Sequence, residues 1–165
     1  MPPQLPTATR VKPASTPPLQ TQKPHVTQSK PATAAAPAKS LKLVWNWPTN
    51  GRVVQTFSPG DDNRKGIWIH GGMGQPVSAA EAGKVVYAGN GLVGYGNLVI
   101  IKHDRSYLSA YGYNSKLLVR EGDMVKKGDV VAQMGAPNIG GQPVLHFEIR
   151  RQGKPVNPLP LLPRK

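Results

Sequence analysis

A chain of 165 residues with 38% hydrophobic content is long enough for one domain of ordinary size and short for more than one. Having no cysteine, it cannot form a disulfide framework, a thiolate metal site or a cysteine nucleophile, while its redox compartment stays open. The formal net charge of +13 suits polyanions, but no RNP-like aromatic strand, finger spacing or recognition-helix pattern accompanies it, so specific nucleic-acid recognition is not expected.

Residues 1–42 hold six Lys or Arg and no Asp or Glu, are rich in Pro, Ala, Thr and Gln, and lack apolar periodicity. Such a segment cannot bury enough surface to offset the entropy of ordering, which predicts a disordered, basic, Pro-rich linker or tail. The folded part is expected over 43–165, where fifteen Lys and Arg meet all eight acidic residues and leave about +7. No signal-peptide apolar region follows Met1 and no apolar run approaches transmembrane length. The chain as given therefore reads as soluble and truncated at its start, with any export signal upstream.

From residue 43 onward, short β-branched runs alternate with Gly, Asn, Asp and Pro at spacings of about ten residues, which predicts an all-β domain. Trp45 and Trp47, before Pro48, are expected to anchor the first strand. Strands are predicted over 53–57, 67–70, 76–79, 84–88, 98–103, 108–113, 130–134 and 144–150, and no stretch keeps a helical period. The continuous apolar run Val99-Ile100-Ile101 suits a strand covered on both faces, as in a barrel or sandwich. Residues 89–97, rich in glycine, read as a long, tight connection without the strand-to-helix context of a phosphate loop. His103, before Asp104 and Arg105, reads as a surface or turn residue, and His25 lies in the tail.

In residues 119–132 two Gly-Asp turns flank a short basic strand. This resembles the hammerhead turn of biotinyl and lipoyl carrier domains and of lysostaphin-like peptidases. A carrier needs a lysine at a hairpin tip; here Met134 is followed by Gly135 and Ala136, so no attached cofactor is expected.

Four segments, Lys65-Gly66-Ile67, Gly83-Lys84-Val85-Val86-Tyr87-Ala88-Gly89, Gly94-Tyr95-Gly96-Asn97-Leu98-Val99-Ile100-Ile101-Lys102-His103 and Leu145-His146-Phe147-Glu148-Ile149-Arg150, together resemble the lysostaphin-like, or LytM, zinc endopeptidase family over about residues 47–162. The ending Gly153-Lys154-Pro155-Val156-Asn157-Pro158-Leu159 resembles its NlpD branch. The resemblance implies a lysostaphin-like antiparallel β-sheet domain, related to barrel-sandwich hybrids. That branch and its EnvC-like relatives comprise murein hydrolase activators of cell division, which switch on N-acetylmuramoyl-L-alanine amidases without cutting peptidoglycan. The leader is similar to the linker that joins a LysM or coiled-coil part to the LytM domain, although no LysM pattern is present.

Active members of that family hold zinc with the His and Asp of a His-x-Gly-x-Asp segment and the second His of a His-x-His strand, leaving an open position for the nucleophilic water. Carried over by position, the first segment is Arg64-Lys65-Gly66-Ile67-Trp68, which offers a guanidinium and a donor-only indole in place of the two ligands. The accessory Tyr-x-His segment is Tyr111-Gly112-Tyr113, and the His-x-His strand is Val144-Leu145-His146. The resemblance thus implies no metal, no catalytic residue and a partner-binding groove formed by Arg64, Trp68, Tyr113, Val144 and His146. Trp, Tyr and Arg are the types most enriched in binding hot spots.

The partner implied is a periplasmic amidase, with peptidoglycan a further one, and the expected place is the periplasm or cell envelope. One alternative is a zinc endopeptidase with a rearranged site of His70 and His146 assisted by Asp61 or Asp62. Another is a passive peptidoglycan-binding module held by its positive charge.

Overall fold

The computed structural model of the protein describes residues 42–165. The leader expected over 1–42, with His25, lies outside the described residues apart from Lys42.

Ten strands follow in order: β1 (Arg52–Gln55), β2 (Ile67–His70), β3 (Pro76–Ser78), β4 (Gly83–Gly89), β5 (Asn97–Lys102), β6 (Tyr107–Leu117), β7 (Met124–Val125), β8 (Val130–Met134), β9 (Val144–Arg151) and β10 (Lys154–Val156). There is no helix among the described residues, and so none long and apolar enough to cross a membrane. All pairings are antiparallel, and the main path runs β1-β2-β9-β6-β5-β4-β7, with β10 beside β9 and β8 joining β6 to β3.

Alternation along β9 explains how the sheet serves two purposes. Leu145, Phe147 and Ile149 are fully buried in the apolar core with Ile67 and Ile69 of β2, Val99 and Ile101 of β5 and Tyr111 of β6. Successive side chains point to opposite faces, so Val144, His146, Glu148 and Arg150 share the other face.

The expected strand over 108–113 continues four residues further, to Leu117. The polar run Asn114-Ser115-Lys116 hides this continuation, which pairs with β8 while Asn114 still stands opposite Asn97 of β5. The transfer happens at a bulge where Tyr113 takes φ 62, a left-handed conformation rare for a bulky residue. Asn97 and Asn114 brace it, each side-chain amide donating to the other's backbone carbonyl at 2.9 Å.

The segment 119–132 forms two matched turns. Gly122 (φ 98) and Gly128 (φ 89) supply the positive dihedral, and Asp123 and Asp129 accept from the N–H groups of Arg120 and Lys126 at 2.8 Å. Strand β10 was not expected from the sequence. It follows a two-residue turn of Gln152 (φ 51) and Gly153 (φ 77), and its Pro155 is tolerated because the strand lies at an edge.

Trp45, Trp47 and His103 join neighbouring segments to the sheet. Trp45 packs against the β5–β6 hairpin, edge-on to His103 at 4.9 Å and Tyr107 at 5.9 Å, and Trp47 donates its indole N–H to Pro163 O at 2.8 Å. Both tryptophans also pack with the core that Val53 of β1 joins. His103 lies at the start of the turn between β5 and β6, as expected of a turn residue, with its ring partly buried: the ring nitrogens lie 2.7 Å from Ala82 O and from Ser109 Oγ, and burial pushes its pKa below 6.5.

Candidate functional site: an indole–imidazole pair on the open sheet face

Register brings the site together. Trp68 of β2 stands directly opposite His146 of β9, which stands opposite Gly112 of β6. Gly112 lets the backbones approach closely, since a Cβ there would lie 3.1 Å from Tyr95 O and crowd it by a few tenths of an ångström. That space lets the loop between β4 and β5 fold down, with Tyr95 O accepting from the Tyr113 N–H at 2.8 Å. The bulge at Tyr113 turns its ring onto the same face, 5.5 Å from both Trp68 and His146 and edge-on to each.

Hydrogen bonds then fix the imidazole. The Trp68 indole N–H, which can only donate, reaches His146 Nδ1 at 2.9 Å. Nδ1 must therefore be the unprotonated nitrogen, and Nε2 carries the hydrogen and donates to Glu148 Oε1 at 2.8 Å. Tyr95 donates its hydroxyl to the same oxygen at 2.9 Å, while Arg150 Nε–H donates to Oε2 at 2.9 Å and Arg150 Nη2 donates to the Tyr95 hydroxyl at 3.2 Å. Glu148 is 0% exposed, so each of these donors offsets the cost of burying a carboxylate. Burial alone would raise its pKa; the hydrogen bonds from His146 and Arg150 and the charge of Arg150 outweigh this and hold it at about 2. Burial and the nearby Glu148 charge push the Tyr95 hydroxyl up to about 12 and raise that of Tyr113.

Among the five residues expected to line the groove, Trp68, Tyr113 and His146 meet in one cluster, and buried Val144 continues the same face, paired in register with His70. Arg64 is not bonded to them. Its guanidinium donates to Thr56 O at 3.1 Å and to Thr56 Oγ1 at 3.0 Å, tying down the loop between β1 and β2. Tyr95, Glu148 and Arg150 were not anticipated as site residues. Two of them follow from counting by twos along the strand from His146, whereas Tyr95 lies in a loop whose folding back no sequence period reveals.

The residues present do not fit a metal ion. A zinc site needs about three protein donors and an open position, but Trp68 and Arg64 only donate hydrogen bonds, and both nitrogens of His146 are engaged. The rearranged set is not assembled either. His70 bonds Gln142 Oε1 at 3.2 Å, Asp61 caps Asn63 N–H at 2.9 Å, and Asp62 pairs with Lys65 at 3.1 Å. Among the described residues no group of three or more His, Cys, Asp or Glu is placed to hold a metal.

Fold and site together define a lysostaphin-type domain whose open sheet face carries a hydrogen-bonded aromatic cluster. Lysostaphin from Staphylococcus simulans, described as an antimicrobial peptidase, matches with a TM-score of 0.60 and 26% identity, over 70% of this chain and 51% of that one. Residues 62–158 match the model of peptidase family M23, and the chain belongs to that family. A "Lipoprotein NlpD/LppB homolog" of Pseudomonas aeruginosa is 53% identical over 137 residues, 82% of this chain and 46% of the relative. "Murein hydrolase activator NlpD" of Escherichia coli is 52% identical over 121 residues, 73% of this chain and 32% of the relative. The chain thus spans less than half the length of these relatives.

Proposed function

We propose that this chain is a noncatalytic activator of a peptidoglycan hydrolase, and specifically of a periplasmic N-acetylmuramoyl-L-alanine amidase in cell-wall remodelling and daughter-cell separation. The observation that carries this reading is the hydrogen bond from Trp68 to His146 Nδ1. It occupies the lone pair a metal would use and leaves the part-exposed Trp68 and Tyr113 rings available for protein contact. The names of the Escherichia coli and Pseudomonas aeruginosa relatives, an activator and a lipoprotein, support both the role and a place in the cell envelope.

In this reading Trp68, Tyr113 and His146 form the floor of the groove, with Val144 beneath one end and Arg64 at its margin. A regulatory element of the amidase binds there and shifts the amidase toward its open state. The domain over 43–165 acts at the end of the basic leader 1–42, which serves as a linker.

Purified chain mixed with dye-labelled murein tests the proposal. Dye release should need an added amidase and be accelerated by the chain. Release by the chain alone, or no acceleration of any periplasmic amidase, would overturn it.

A further inference from the structure

Three turns around the site end on an aliphatic side chain set beside glycine. Met73 stands between Gly72 and Gly74 (φ 77), Val93 precedes Gly94 (φ 88), and Ile139 precedes Gly140 (φ 77). These three side chains are 61%, 99% and 108% exposed. One exposed aliphatic residue is ordinary on a protein surface, but three on separate turns about one site call for a partner.

Their placement follows from backbone bonds. The Met73 turn leaves β2 directly and is held to the residue preceding β9 by Gly71 N–H donating to Pro143 O at 3.2 Å. The Ile139 turn lies between Gly135, whose carbonyl accepts from Val144 N–H at 3.0 Å, and Gln142, which bonds His70. Both therefore stand at the His70–Val144 end of the Trp68–His146 pair. Val93 rises from the loop that Tyr95 pins to Tyr113 and Glu148, beside the aromatic cluster.

Charge adds a second constraint. Four of the eight acidic residues, Asp61, Asp104, Asp123 and Asp129, cap backbone N–H groups. Asp62 and Glu81 pair with Lys65 and Lys127, and Glu148 is buried on Arg150. Exposed Lys84 and Lys102, opposite each other across β4 and β5, form no ion pair among the described residues. The domain therefore presents a positive field that steers acidic partners toward it.

We propose that the element seated on this face is an amphipathic, net-acidic protein segment, its apolar side held by Met73, Val93 and Ile139 over the floor of Trp68 and Tyr113. This rests on the activator reading above and specifies the chemistry of the partner's contacting element. An aliphatic tip without a polar handle gains by burial against apolar side chains and gains little against a hydroxyl-rich glycan, which favours a protein over the wall polymer.

The test compares the full chain with the triple variant Met73→Ser, Val93→Ser, Ile139→Ser and with the apolar triple Met73→Leu, Val93→Leu, Ile139→Val. Each is measured for binding to a periplasmic amidase at low and high salt and for pelleting with isolated murein sacculi. The serine variant should bind the amidase at least about tenfold more weakly while pelleting like the parent, and the apolar variant should bind normally. Added salt should weaken amidase binding by the parent. Equal amidase binding by the serine variant, reduced pelleting with amidase binding intact, or salt-insensitive amidase binding overturns the proposal. If Trp68→Ala still abolishes stimulation in that case, the activator reading stands without it; if the parent binds no amidase, the activator reading itself fails.

Discussion

The Trp68 indole N–H and His146 Nδ1 lie 2.9 Å apart and directly opposite each other on paired strands, so a donor that can never accept dictates the tautomer of the imidazole. Substituting Trp68→Phe keeps most of the ring and removes this donor. The variant should lose about 1–2 kcal/mol in urea unfolding, because a largely buried acceptor is left unpaired. Nitrogen NMR should show the Nε2–H tautomer at His146 in parent and variant alike, because Glu148 still accepts from Nε2, with the Nδ1 resonance shifted in the variant where the Trp68 bond is lost.

Glu148 should be the least replaceable polar residue of the site. Glu148→Gln keeps the volume but leaves Arg150 without its counter-charge and turns an amide NH2 toward groups that are themselves donors. Breaking a buried ion pair in this way costs about 3–5 kcal/mol, which chemical denaturation will read directly. If Gln is tolerated within about 0.5 kcal/mol, as at an ordinary surface position, the network does not hold this face together.

Acid should destabilise the domain in two stages. Burial sets the His103 pKa below 6.5, so the unfolded chain takes up that proton first, and stability present above 6.5 is lost as pH falls below it. Glu148 at about 2 is depressed from 4.5, so its contribution, on the order of 3 kcal/mol, is complete above 4.5 and lost as pH falls toward about 2. Urea midpoints at neutral pH, between these ranges and below the lower one should fall twice, and Glu148→Gln should make the second fall smaller, leaving the part due to Glu81, whose pKa is also lowered.

The left-handed backbone at Tyr113 separates its ring from its conformation. Tyr113→Val places a β-branched residue at φ 62 and should be less stable than Tyr113→Gly by about 1–2 kcal/mol, although valine retains more apolar surface. Both should lose stimulation of the amidase, because both lack the ring. Equal stability of the two variants would show that the bulge relaxes when tyrosine is removed.

The strand pattern was legible because β-branched runs and turn residues act locally. The predicted span 67–70 for β2 and the span 130–134 for β8 match the observed strands, and the other predicted strands fall within a few residues of theirs. What escaped the sequence depends on tertiary pairing: the continuation of β6 past Tyr113 through polar residues, and the edge strand β10 interrupted by Pro155.

The site was legible to a similar depth. Trp68, Tyr113 and His146 were expected together through family resemblance, and the structure adds the bonds that join them. Arg64 was expected in the groove, but a long side chain takes whichever acceptors are nearest, and here those are on Thr56. Tyr95 could not be assigned because its place depends on a glycine at position 112 of another strand.

The central claim is that this face works by protein contact and without a metal. The most direct measurement treats the chain with a chelator, removes the chelator completely, and then adds an untreated amidase and labelled murein. The account predicts stimulation equal to that of untreated chain, lost in Trp68→Ala even though the variant stays folded. Stimulation abolished by chelation of the chain and restored by zinc alone would contradict it.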